Sequence, residues 1–240
     1  MLRILESLCW LLPASPLKNA LLRMAGREVS RSASIGPTLV WRVGRIDIGD
    51  NVRIGLLNTM RGLSHAVFEE GAIVESWNWI SAHPGYQTVD SGAGTLFLGA
   101  GAKIGSRNYI DCSGTVVLRE YSQLGGNRCL VQSHEPDYGT ASQHVGRITI
   151  GHHSQVASSA VLLKGAYLPD RSLLAANSTM LARPNVDAKQ GLYAGSPAVW
   201  KRPTTGAFFE AQGGYAMETY VVDEPMGVLA SDVELADRPL

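Results

Sequence analysis

Between Leu130 and Ile150 lies Gln132-Ser-His134-Glu135-Pro-Asp137-Tyr138-Gly-Thr-Ala-Ser-Gln-His144, a polar and turn-forming stretch whose residue types could do proton chemistry. A histidine titrates near pH 6.5 when unperturbed, so at neutral pH it can take a proton from a weak nucleophile. Glu135 and Asp137 lie close enough in sequence to His134 to orient its ring, and a solvated loop acid is an equal reading of each. His144 in the same stretch is a second candidate base, and any lone loop histidine is in itself an ordinary surface residue. His65 and His83 have no partner that sequence can supply, and the pair His152-His153 is expected in an exposed turn. Cys9, Cys112 and Cys129 form no Cys-x-x-Cys pair, which gives neither a disulfide framework nor a zinc motif. Cys112 and Cys129 are expected as small buried residues.

What must position that stretch is a repeat. Ile150, Val156, Leu162, Leu168, Leu174 and Met180 are apolar at every sixth position. Six is neither the helical period nor the alternation of a strand, and a repeat of this kind takes precedence over local readings. Each hexad supplies one inward apolar side chain, and three faces of 18 residues close a triangular coil. Stacked coils form a parallel β-helix with strands about 4.8 Å apart. Upstream the hexads run Ile48, Ile54, Met60; then Val67, Ile73, Trp79; then Leu98, Ile104, Ile110; then Leu118, Leu124, Leu130. Ile80–Thr95 breaks the phase and reads as a loop or irregular corner, and a bulge or long corner is expected near Ser113–Val117. A solenoid has little reason to interrupt its ladder at 131–147 other than to build a site or meet a partner.

The ends read differently. Residues 1–30 form a helical cap, broken by Pro13 and Pro16, that covers the first coil. Leu17, Ala20, Leu21 and Met24 define its apolar stripe with Lys18, Arg23 and Arg27 off it; a weak peripheral membrane contact is the alternative role. Pro184–Gln190 is a loop. Residues 203–240 take no hexads and hold seven acids against one base, leaving the 31–202 solenoid and its cap with a net charge of +6. That modest basicity suits an anionic cofactor or plain solvated surface, and nothing in it calls for nucleic acid. No apolar run reaches 18 residues, and Met1–Leu12 makes a poor signal peptide, so a cytoplasmic protein is expected.

The hexad array, Ser133-His134-Glu135 in a polar loop just before Ile148-Thr-Ile150-Gly, and the closing Tyr193-Ala-Gly-Ser-Pro-Ala198 with Lys201-Arg202 together resemble the hexapeptide-repeat acyltransferases. Within them the chain, over about residues 1–203, looks like the branch of galactoside, maltose, virginiamycin and colanic-acid O-acetyltransferases. The resemblance implies an all-β fold, a left-handed parallel β-helix; the handedness comes from the family alone, since the general rule favours right-handed crossovers. It implies acetyl-CoA as co-substrate, no metal, and a homotrimer with sites between neighbouring subunits.

The same resemblance implies roles. His134 is the general base that deprotonates an acceptor hydroxyl as it attacks the thioester, with direct transfer and no covalent enzyme intermediate. The backbone N–H at Ser158 is the oxyanion donor. Ala157, Ser158 and Ala176 line the pantetheine groove, and Lys201 and Arg202, with Arg183 as a weaker candidate, meet the nucleotide phosphates. Glu135, Asp137 and Tyr138 belong to the acceptor side. Trp77, Trp79, Tyr86 and Tyr138 could stack on a sugar, although filling hexads or corners is the plainer role for the tryptophans. Leu181-Ala182 replaces the family's usual Thr-Lys, and Ala175-Ala-Asn177 replaces Gly-Ala-Gly. The proline-punctuated opening resembles acetyltransferases of surface-polysaccharide biosynthesis, which points to a sugar hydroxyl; another hydroxyl or an amine, a longer acyl donor, a γ-carbonic-anhydrase-like protein and a non-enzymatic solenoid are the alternatives.

Overall fold

The structure, a computed structural model, describes residues 2–182 and 188–213. The chain winds through three parallel sheets that form the faces of a prism. Face A carries strands such as Arg45–Ile48, His65–Phe68 and Arg147–Ile150; face B carries Arg53–Ile54, Ile73–Val74 and Gln155–Val156; face C carries Thr38–Trp41, Asn58–Arg61, Trp79–Ser81, Tyr109–Asp111, Leu130–Gln132 and Val161–Leu163. The expected parallel β-helix is therefore present. Neighbouring coils pair in parallel throughout, until Leu192–Ala194 and Val199–Arg202 close face B as an antiparallel edge.

All six residues of the regular array, Ile150 to Met180, are fully buried along the prism axis. Coils here are 18 residues long, as the pairing of Ile150 with Leu168 shows. The earlier coils are longer: Ile48 pairs with Phe68 and Leu98 with Leu118, so each spans 20 residues. The surplus sits at the corner between faces C and A, where Met60 and Phe68, both buried, are eight apart. The hexads assigned to Val67, Ile73 and Trp79 are corrected accordingly. The inward residues are Phe68, Val74 and Ile80, and Trp79 is 42% exposed. A one-residue slip in a strand exchanges the two faces, and the eight-residue spacing from Met60 to Phe68 mimics a fresh start of the repeat at Val67. Leu130 slips in the same way, because Gly125-Gly126 lengthens its corner and brings Val131 inward.

The N-terminal cap consists of helices α1 (Leu2–Trp10) and α2 (Pro16–Met24). Ser15 caps α2 by accepting from Lys18 N, with Pro16 at the first helical position where its missing N–H costs nothing. The expected apolar stripe is wrong. Leu17 and Met24 are exposed, whereas Lys18, Asn19 and Leu22 are buried. Trp10 and Leu22 join the apolar core, while polar side chains answer the open carbonyls of the cap and the first coil. Lys18 Nζ donates to Trp10 O, Leu12 O and Gly36 O at 2.7–2.9 Å, and Asn19 Nδ2 donates to Ala33 O at 2.7 Å. Burial lowers the Lys18 pKa to about 8. Among the described residues no helix is long and apolar enough to cross a membrane.

Residues 204–211 lie back against the A–B corners. Thr204 Oγ1 donates to Arg171 O at 2.5 Å, and the Arg171 guanidinium donates to Phe209 O and, at 3.1 Å, to Ala211 O. The rest of the acidic stretch, from residue 214, is outside the described residues.

Candidate active site

Two insertions leave the prism at the same C–A corner, on coils either side of one plain coil. The first, residues 82–94, contains the short 3-10 turn Pro84–Thr88; this is the irregular corner expected from sequence. The second is an antiparallel hairpin, His134–Asp137 paired with Ser142–Val145. Between them Tyr109–Asp111 turns through Cys112, Ser113 and Gly114 into Thr115–Leu118 with no insertion. The two insertions lean together over that corner: Tyr86 Oη donates to Gln143 Oε1 at 3.4 Å, and the Tyr86 ring lies 5.7 Å from the His134 ring. Burial and the charge of Asp111 push the Tyr86 phenol up, so it stays a neutral donor.

Asp111 organises the corner. It is 6% exposed, and its Oδ2 lies 2.7 Å from His134 Nδ1. Ser133 N donates to the same oxygen at 3.0 Å, while Oδ1 accepts from Ser113 Oγ at 2.5 Å and Ser113 N at 3.2 Å. A carboxylate accepts only, so Nδ1 carries the proton and Nε2 is left with its lone pair. Nε2 has no partner among the described residues, and His134 opens onto a groove of about 1010 Å³. The arrangement is a base held by a buried acid, able to take one proton from a bound group.

The loop acids thus do other work than orienting the imidazole. Glu135 pairs with Lys164 Nζ at 3.0 Å. The Thr140 side chain, with Gly139 N and Thr140 N in the hairpin turn, donates to Asp137 and holds its carboxyl below the usual range. Tyr138 stands at the tip, 91% exposed. His144 bonds Ser142 Oγ at 2.8 Å and is turned from Asp111. None of the three acceptor-side candidates lines the groove. Its aromatic wall consists of Trp41, Trp79, Tyr86 and Tyr109.

Ala157, Ser158 and Ala176 lie at stacked B–C corners, across face C from His134. The three-residue strand Val161–Leu163 separates the two corners, about 10 Å at strand rise. The corner is tight: a Cβ on Gly126 would come within 2.2 Å of Ser158 N and Cα. Ser158 is exposed, and its N–H makes no hydrogen bond to the described residues. Lys201 and Arg202 are exposed on the closing strand of face B, and Arg183 lies outside the described residues. One chain therefore does not bring the base and the CoA candidates together.

No family model matches the chain, and no curated protein matches it. Among solved structures, one similar chain is a mutant of AntD, an N-acyltransferase from Bacillus cereus, in complex with dTDP and coenzyme A. It is 11% identical, with 74% of this chain and 80% of that chain covered at a TM-score of 0.35. Another is the polySia specific acetyltransferase NeuO, 12% identical, with 73% and 86% covered at a TM-score of 0.40. Likeness of this extent decides neither activity nor acceptor.

The structure supplies partners for His65 and His83 and corrects the expected exposure of His153. His65 Nε2 bonds Asp47 Oδ2 at 2.8 Å, and His83 Nδ1 caps the 3-10 turn by accepting from Gly85 N. His153 is fully buried rather than exposed, bonded to His152 Nε2 at 2.9 Å and to Gly213 O at 2.8 Å. Cys112 and Cys129 are buried as expected, and no group of three or more His, Cys, Asp or Glu side chains with metal-binding spacing occurs among the described residues. The residue that sequence reasoning missed is Asp111. Its one visible signal was an acid directly preceding Cys112 at the end of a hexad strand.

Proposed function

We propose that the protein is an acyltransferase that moves an acetyl group from acetyl-CoA to a sugar hydroxyl, with His134 as general base. The observation that carries this reading is the 2.7 Å Asp111–His134 contact, which leaves Nε2 free at the mouth of a large groove. His134 Nε2 takes the hydroxyl proton as the oxygen attacks the thioester carbonyl, and Asp111 stabilises the imidazolium that results. The tetrahedral oxyanion collapses to the ester, the C–S bond breaks, and the departing thiolate recovers the proton from His134. An oxyanion needs a preorganised donor, and the unpaired N–H of Ser158 can serve. Because that amide lies across face C, the partner corner comes from a second copy, which supports the expected homotrimer. The exposed Leu8, Leu11, Leu17 and Met24 on the cap support a peripheral membrane contact near a surface-glycan acceptor.

The direct test is His134→Ala, read by CoA release with a panel of sugars. Transfer is expected to fall by at least about 10² while folding and CoA binding persist. Turnover near the wild-type rate would overturn the assignment.

A further inference from the structure

We infer that the groove takes an anionic saccharide whose charge is held by Arg61 and Arg42, two to three coils from Asp111, the partner of the His134 that meets the reacting hydroxyl. The reacting hydroxyl rests on the proposed transfer reaction; the anion site does not. Asp111, Ser81, Arg61 and Trp41 stand in register on four successive strands of face C. Neighbouring strands are about 4.8 Å apart, which places Arg61 about 10 Å from Asp111 along the prism and Arg42, beside Trp41, about 14 Å away.

The charges of the groove do not cancel. Among its lining residues Glu6 pairs with Arg27, whose guanidinium also donates to Val43 O and Gly44 O. Asp111 pairs with His134. Arg42 and Arg61 are exposed and have no acidic partner among the described residues, so the end of the groove away from His134 carries two uncompensated guanidinium groups. A guanidinium is a planar donor suited to bidentate contact with carboxylate or phosphate.

The wall between these arginines and His134 is aromatic. Trp79 and Tyr109 stand side by side in register, 42% and 49% exposed, and Trp41, beside Arg42 at the far end, is 41% exposed. Half-exposed rings offer flat apolar faces to the C–H faces of pyranose rings while sugar hydroxyls stay wet. The groove volume, about 1010 Å³, is at the upper end for a small-molecule site and exceeds the needs of a monosaccharide. A separation of about 10 Å also exceeds one ring. The anion is therefore on a different residue of a chain, or is a phosphate at its end.

Binding to the full chain, measured by calorimetry without acetyl-CoA, tests this with tetragalacturonate, its fully methyl-esterified form and UDP-galactose. The acid is expected to bind at least tenfold tighter than the ester, with an advantage that shrinks as KCl is raised. In the double variant Arg42→Gln/Arg61→Gln the acid should fall to the affinity of the ester. Arginine-dependent binding of UDP-galactose alone would support the same site with phosphate as its anion. Equal binding of acid and ester by the wild type overturns the inference. So does a preference that survives in the double variant, or an absence of binding by all three probes because a second copy covers the groove. Melting and sedimentation of the double variant, matched to wild type, exclude misfolding as the cause of any loss. Because the readout is binding, inactivity of the enzyme would count against the transfer reading and leave this result standing.

Discussion

Five polar contacts converge on the Asp111 carboxylate: Ser113 N and Oγ, Ser133 N and Oγ, and His134 Nδ1. Such a carboxylate cannot rotate, so it fixes both the tautomer and the direction of the imidazole. Asp111→Asn would present an amide N–H or a weaker acceptor to Nδ1 and lose that control. We expect kcat to fall by about 10² with KM for both substrates little changed, a split that simple unfolding would not give. Steady-state kinetics on the purified variant, with its melting curve as control, checks this. His153 carries a pH signature of the fold. Burial depresses its pKa, and Nδ1 already accepts from His152. The folded state therefore binds fewer protons than the unfolded chain, so stability is full above about pH 6.5 and declines as pH falls below it. The melting temperature is expected to drop as pH falls below about 6.5, and His153→Asn should flatten the slope. An unchanged slope in that variant would remove His153 from the account.

The coil corner is the element that makes the site possible. At the C–A corner Gly114 N donates to Ser133 Oγ, and a Cβ on Gly114 would sit 2.0 Å from Gly146 O, at the foot of the hairpin. Gly114→Ala must push the coils apart where Asp111 meets His134. Thermal unfolding should show a loss of about 3 kcal/mol, the upper end of overpacking costs, and activity should fall with it. This element also shows what was readable from sequence. Ile150 to Met180 was plain because 18-residue coils keep a strict period and put every sixth residue on the axis. The stretch that holds His134 stood out because it breaks that period, whereas the choice of His134 as base rests on the resemblance. Trp79 was misplaced because a 20-residue coil hides two residues at a corner, and an exposed aromatic at a near-hexad position mimics a core residue. Lys18 was misplaced because its amine closes three open carbonyls, Trp10 O and Leu12 O in the cap and Gly36 O in the first coil, a demand that apolar periodicity does not show. Asp111 escaped because its partner is one coil on, 23 positions away, and a pairing across coils leaves no local spacing to read.

At the scale of the whole molecule, the two halves of the proposed chemistry occupy opposite edges of face C, so a single chain holds two half-sites rather than one site. Mixing separates this from an active monomer. His134→Ala removes the base but keeps the B–C corner; Ser158→Pro removes an N–H that bonds nothing among the described residues but keeps the base. Each variant alone should be inactive as a homo-oligomer. Co-expressed in equal amounts and assembled at random, a site regains function only when an intact base meets an intact amide from the next chain. Each requirement is met half the time, giving about one quarter of wild-type activity for a cyclic assembly with heterologous contacts. Recovery near that level, measured on mixed assemblies of confirmed mass, requires that neighbouring copies share each site. Activity in Ser158→Pro alone would instead take the oxyanion donor away from Ser158, and no recovery on mixing would confine the chemistry to one chain.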